Sequence, residues 1–202
     1  SLMAHLKLKP VSAGHKKISV NGIFSKGNFL EMNGIVKKNL SVLIKGFSAK
    51  DIKGTLNREI SSITFDSRKT KKESLFVAVP GFKENGFKFI DDSISQGASA
   101  FITEESIEGL SNVNLTQNNV TAICVEDCRK ALAWVGSRFY DQPSSRIDLF
   151  GVTGTNGKTT TTYILDSIYK AQKKISGIIG TIHYGYAGIK HAAPITTPES
   201  LD

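Results

Sequence analysis

Gly151-Val152-Thr153-Gly154-Thr155-Asn156-Gly157-Lys158-Thr159 is the stretch on which the reading of this 202-residue chain turns. Apolar residues precede it at 147–152, and residues 159–174 follow with Ile164, Leu165, Ile168 and Ala171 at helical spacing. Glycine leaves backbone N–H groups open to a ligand and permits positive φ. A helix starting at the end of such a loop adds unpaired N–H donors and a partial positive charge. Lys158 supplies a mobile cation for β- and γ-phosphate oxygens, and Thr159 a hydroxyl for Mg²⁺. The expectation is a phosphate-binding loop at a strand-to-helix junction. It departs from the strict G-x-x-x-x-G-K-[ST] form: residue 152 is Val, and glycines stand at 151 and 154 instead. Four consecutive threonines, 159–162, make a poor helix start by propensity and suit hydroxyls beside phosphates or a metal, although Thr also serves as a cap.

Outward from the loop, residues 175–181 read as a further strand, completing strand, glycine loop, helix and strand as one βαβ unit. Lys170, Lys173 and Lys174 fall at the expected end of the helix, where cations suit its dipole. One such unit cannot build a sheet covered on both faces, so residues 144–202 are expected to be the beginning of a larger domain. Upstream, Gln142-Pro143-Ser144-Ser145 reads as a linker. Before it, strands are expected at 60–65, 75–79, 100–103 and 121–125. Phe87, Ile90 and Ile94 share a helix face closed by Gly97, and Asp127 caps a helix carrying Leu132, Val135 and Phe139. The polar stretch 104–119 reads as loop. Alternating strands and helices over 39–143 imply an α/β domain.

Charge and composition narrow the classes of function. The net charge is +8, but residues 1–38 hold seven lysines against one acid, Glu31, and so carry most of the excess. That segment has no sustained period and reads as a leader, an expression remnant or an upstream translation. A nucleic-acid binder keeps its basic patch on the folded domain, so nucleic acid is not expected as a partner. No run approaches the roughly 18 apolar residues of a membrane span, and no secretory signal is evident, which favours the cytoplasm. Cys124 and Cys128 show no metal spacing with His5, His15, His183 or His191 and read as small buried hydrophobes in a reducing compartment.

The loop Gly-Val-Thr-Gly-Thr-Asn-Gly-Lys-Thr-Thr-Thr, 151–161, resembles the ATP loop of the Mur ligases, which build the peptide stem of peptidoglycan. Two upstream stretches, Ile63-Thr64-Phe65-Asp66-Ser67-Arg68 and Leu75-Phe76-Val77-Ala78-Val79-Pro80-Gly81, resemble an earlier signature of the same family. With Thr196-Thr197-Pro198, the pattern is most similar to the members that add the third residue, diaminopimelate or lysine, to UDP-MurNAc-L-Ala-D-Glu. The resemblance spans about residues 40–202.

The resemblance implies a small N-terminal UDP-binding α/β domain at 39–143, then a truncated P-loop ATP-binding domain. It assigns Gly154, Thr155, Asn156, Gly157, Lys158, Thr159 and Thr160 to ATP, with Lys158 and Thr159 catalytic and Thr159 on Mg²⁺. Phe65, Ser67, Phe82, Lys83, Glu84, Thr196 and Thr197 would contact the UDP-MurNAc-dipeptide. Ile195 stands where some relatives have Asn, so the resemblance does not carry that side-chain contact over to this position. The implied reaction activates a carboxylate as an acyl phosphate, which an amine then attacks. The rest of the family's machinery would lie beyond residue 202, so no turnover is expected of this chain by itself, and a monomer is expected. Alternatives are a member adding D-Ala-D-Ala, or a non-catalytic nucleotide-binding module.

Overall fold

The computed structural model describes residues 36–81, 84–109, 119–186, 189–192 and 198–201. The chain enters through β1 (Lys38–Asn39) and the short helix α1 (Leu40–Ile44), whose start is capped by the Asn39 side chain accepting from Ser41 N–H. Lys37 pairs with Glu73 and Lys38 with Asp141. These two lysines, counted with the leader on sequence grounds, therefore belong to the fold.

The centre is a five-stranded sheet. β2 (Ala49–Lys53) is followed by β3 (Glu59–Ile60), β4 (Ser62–Thr64), β5 (Ser74–Val77), β6 (Ala98–Thr103) and β7 (Thr121–Val125). The spatial order is β2-β7-β6-β5-β4, with β4 to β7 mutually parallel and β2 antiparallel on the β7 edge. β3 pairs instead with β1. The single strand expected at 60–65 is thus two, interrupted at Ser61, whose N–H donates to the Glu73 carbonyl. β2 carries Lys50, Asp51 and Lys53 and is almost wholly exposed, so no apolar alternation announces it. Charged side chains on an edge strand discourage pairing with another chain.

Strand burial explains why β5 to β7 read as continuous apolar runs. Both faces are covered, as is usual for parallel sheets. Leu75, Val77, Ala100, Ile102, Ile123 and Val125 pack with Leu40 and Leu43 of α1 and with Leu132, Val135 and Phe139 of α3 (Cys128–Phe139). The alternate residues Phe76, Phe101, Ala122 and Cys124 pack with Ile90 of α2 (Ile90–Ser95) and with Ile107. The helix expected to follow Pro80-Gly81 starts as a 3₁₀ turn, Gly86–Phe89, before becoming α2. Gly97, at φ +107°, closes it as expected.

α3 has a closed N-terminus. The Asp127 carboxylate accepts from Lys130 N–H at 3.0 Å, and the Glu104 carboxylate accepts from Cys128 N–H at 2.8 Å. The expected linker is a 3₁₀ turn, Pro143–Arg146.

Beyond it the strand expected at 147–152 is not formed. A parallel strand needs a neighbour for its ladder, and among the described residues none pairs there; Leu149 is 79% exposed. Helix α4 (Lys158–Ala171) follows, then β8 (Gly177–Ile179), β9 (His183–Tyr186) and β10 (Ile189–Ala192). These three strands form their own antiparallel sheet, β10-β9-β8, so the βαβ unit expected here does not form among the described residues. Asp166 of α4 accepts from Lys170 and from Ser176 Oγ, tying the helix to the segment entering β8. The Lys170 ammonium, and then the Ser176 hydroxyl, hold its carboxyl below the usual carboxylate range.

Candidate functional site

Residues 154–157 are a run of bends leading into α4. Gly157 is the N-cap residue at φ +77°, and Gly154 lies at φ +151°. A Cβ built on Gly157 would meet nothing within 4 Å, so glycine is needed there for its backbone conformation and not for space. Among the described residues no side chain caps the helix. The earliest intrahelical bond at this end is Thr161 N–H to the Gly157 carbonyl, at 2.9 Å. The amides of the preceding residues of the turn are the orphan donors of a helix N-terminus. Positive dipole, open amides and open space coincide at Gly157.

Lys158 extends from the first helical position and folds back, donating to the carbonyls of Gly154 and Thr155. Thr155, Asn156 and Thr160 are exposed, and Thr159 is half-buried. Thr159 and Thr160 open onto a shallow groove along α4 with Tyr163 and Ile164. Thr162 behaves differently: its hydroxyl donates to the Thr159 carbonyl at 2.7 Å, an ordinary local bond. The residues present fit a phosphate chain with its metal: open amides, one ammonium, and the Thr159 hydroxyl one residue further along.

The second cluster lies at the carboxyl ends of the parallel strands, where ligands bind in open α/β sheets. β4 and β5 are neighbours in parallel register, so Phe65-Asp66-Ser67 and Val79-Pro80-Gly81 leave the sheet side by side. Phe65 packs on the core cluster beneath α1 and α3. Asp66 caps the 3₁₀ turn Ser67–Lys69, accepting from Arg68 N–H at 3.1 Å. It also accepts from the Arg68 guanidinium at 2.8 and 2.9 Å, and that bond holds its carboxyl below the ordinary range. Ser67 is thereby presented, half-buried, at the front of a rigid turn. Gly81 N–H donates to the Glu84 carbonyl at 2.9 Å. Phe82, Lys83, Ile195, Thr196 and Thr197 lie outside the described residues.

One residue of this cluster escaped the sequence reading. Arg129, in the first turn of α3, donates to the Pro80 carbonyl at 2.7 Å and to the Glu199 carboxylate at 3.0 Å. In sequence it is one more cation on the outer side of an amphipathic helix, and no spacing marks it.

Two structural clusters, a glycine-rich turn that opens helix α4 and a turn at the carboxyl edge of a parallel sheet, therefore sit on one chain. The chain belongs to the Mur ligase family: residues 59–140 match the family's catalytic domain and residues 152–202 its middle domain. It is similar to the UDP-N-acetylmuramoyl-L-alanyl-D-glutamate--2,6-diaminopimelate ligase of Caldanaerobacter subterraneus subsp. tengcongensis, 41% identical over 160 residues, 79% of this chain and 32% of the relative. It is equally similar to the ligase of the same name from Clostridioides difficile, 41% identical over 163 residues, 81% of this chain and 32% of the relative. The chain thus spans about a third of the length of the curated relatives it matches. A solved structure of a ligase with this name superposes with a TM-score of 0.60 at 22% identity, over 82% of this chain and 31% of that one, which places the fold. No helix among the described residues is long and apolar enough to cross a membrane.

Proposed function

We propose that this chain is the front portion of a cytoplasmic, monomeric ATP-dependent amide-bond ligase of peptidoglycan precursor synthesis. The ligase extends UDP-MurNAc-L-Ala-D-Glu by its third residue. The relatives are named for 2,6-diaminopimelate, which favours that amino acid over lysine. Residues 39–143 hold the UDP-sugar-peptide, through Phe65, Ser67, the 82–84 loop and Thr196-Thr197. Residues 144–202 open the ATP-binding part, through residues 154–160.

The observation that carries this reading is the junction at Gly157, where an uncapped helix start, a left-handed glycine and a lysine ammonium converge. ATP with Mg²⁺ supplies the phosphoryl group that activates the carboxylate toward the amine, and the charge that such transfer needs. Lys158 leaves its carbonyl partners to neutralise phosphate oxygens. Thr159 offers its hydroxyl to the metal. The turn at Ser67 anchors the nucleotide handle, so binding energy far from the reacting carboxylate is used to position it.

Ligand-induced stabilisation tests the proposal. ATP·Mg²⁺ and UDP-MurNAc-L-Ala-D-Glu should each raise the unfolding free energy, by about 2.7 kcal/mol at 100 times their Kd. UDP-MurNAc carrying an already completed tripeptide should bind more weakly. Stabilisation by ATP alone would reduce the chain to a nucleotide-binding module.

A further inference from the structure

Arg129 and Gly136 are seven apart on α3 and so share one helix face. Both meet the same short segment of chain. Arg129 Nε donates to the Glu199 carboxylate, and a Cβ placed on Gly136 would lie 3.0 Å from the Leu201 side chain. Leu201 also packs against the core cluster that contains Leu132, Val135 and Phe139. Residues 199–201 therefore lie along α3, with a polar contact at one end and an apolar one at the other. The same guanidinium also donates, through Nη2, to the Pro80 carbonyl.

The spacing matters because of what adjoins each partner. In sequence Pro80 lies two residues before Phe82, and Glu199 lies two residues after Thr197. We infer that Arg129 is a positioning residue: by binding Pro80 and Glu199 on one planar fork, it fixes the spacing of the two segments that flank the UDP-sugar-peptide contacts. This rests on the substrate reading given above.

A guanidinium suits the task. It presents several donors in fixed directions, so two acceptors on different segments are held at one mutual angle. A lysine is a single point charge on a flexible stem and sets no such angle. An exposed ion pair contributes little to stability, so the expected signature is in ligand affinity and not in melting.

The test titrates the 202-residue chain and its Arg129→Ala, Arg129→Lys and Glu199→Gln variants with UDP-MurNAc-L-Ala-D-Glu and, separately, with ATP·Mg²⁺, alongside thermal melts. Arg129→Ala should weaken the UDP-sugar-peptide roughly tenfold, Glu199→Gln by less, and Arg129→Lys by an intermediate factor. ATP affinity and melting temperature should stay at wild-type values in all three. The double variant R129E/E199R should recover part of the loss, because it restores the Glu199 half of the clasp and not the Pro80 half. Arg129→Ala binding the UDP-sugar-peptide like wild type would overturn the positioning role alone. Loss of both ligands together with a lowered melting temperature would also overturn it, showing a merely structural residue. A wild-type chain that binds ATP but not the UDP-sugar-peptide would overturn the substrate reading and this inference with it.

Discussion

The ammonium of Lys158 donates to the carbonyl oxygen of Gly154, so this cation lies folded over the backbone of the glycine-rich turn before α4. The contact is exposed and local, and its loss costs the fold little. Lys158→Ala should therefore leave the melting temperature unchanged while weakening ATP binding by at least tenfold, on the scale of a charge-assisted hydrogen bond to phosphate. Isothermal titration with ATP·Mg²⁺ checks this. Unchanged affinity would remove Lys158 from the site.

Gly157 supports that geometry through its backbone. At φ +77° an L-residue is strained, although space is available for its Cβ. Gly157→Ala should destabilise the start of α4 by about 1–2 kcal/mol, and Gly157→Asn by less, because Asn tolerates the left-handed region. Chemical denaturation followed by circular dichroism measures the difference between the two variants. Equal losses would show that the left-handed backbone is not what glycine supplies there.

Asp66 holds the turn that presents Ser67, by capping it and by gripping Arg68. Asp66→Ala should cost about 1 kcal/mol for the lost cap, whereas Asp66→Asn keeps the cap and costs less. Its carboxyl titrates below the ordinary value because of the Arg68 bond. The stabilisation it gives is thus complete above pH about 4 and is lost as pH falls through the lowered folded value. Acid unfolding curves of wild type and Asp66→Asn should diverge at neutral pH and converge at the acid end.

Cys128 lies fully buried at the start of α3, its thiol against the Ile102 carbonyl. Burial pushes that thiol up to about 12 from a reference of 9.0. The folded chain should resist alkylation at Cys128 at pH 8 and react only on unfolding. Between about pH 9 and 12 the unfolded state releases this proton and the folded state does not, so stability falls with rising pH across that window. Cys128→Ala should flatten that part of the profile. Mass spectrometry after iodoacetamide treatment, and melts across the alkaline range, test the two halves.

Sequence legibility followed burial. Strand β7 was readable to the residue, because Thr121 to Val125 are buried on both faces and rich in β-branched side chains. The α3 cap was equally plain, since Asp127 acts within its own turn. Edge strand β2 was not, because exposed Lys50, Asp51 and Lys53 carry no periodic signal. The apolar run at 147–152 misled for the opposite reason. It has the composition of a buried strand, but composition does not supply the neighbour that a ladder requires. Local backbone geometry within one segment was legible: the turn before α4 from its glycines, and the strand-end turn at Ser67 from Asp66 beside it. Arg129 was not, because its partners lie 49 and 70 residues away and only the folded chain brings them together.

The contrast between the starts of α3 and α4 bears on where negative charge can settle. Both are long enough to gather an appreciable dipole, but the carboxylates of Glu104 and Asp127 already occupy the amides of α3. A triphosphate approaching α3 would meet two like charges fixed at the place it needs, whereas at α4 it meets glycine and a lysine. If α4 takes the phosphates as proposed, discrimination between the two helix mouths would come from repulsion at one as well as attraction at the other, and strengthening either arm alone would sharpen it.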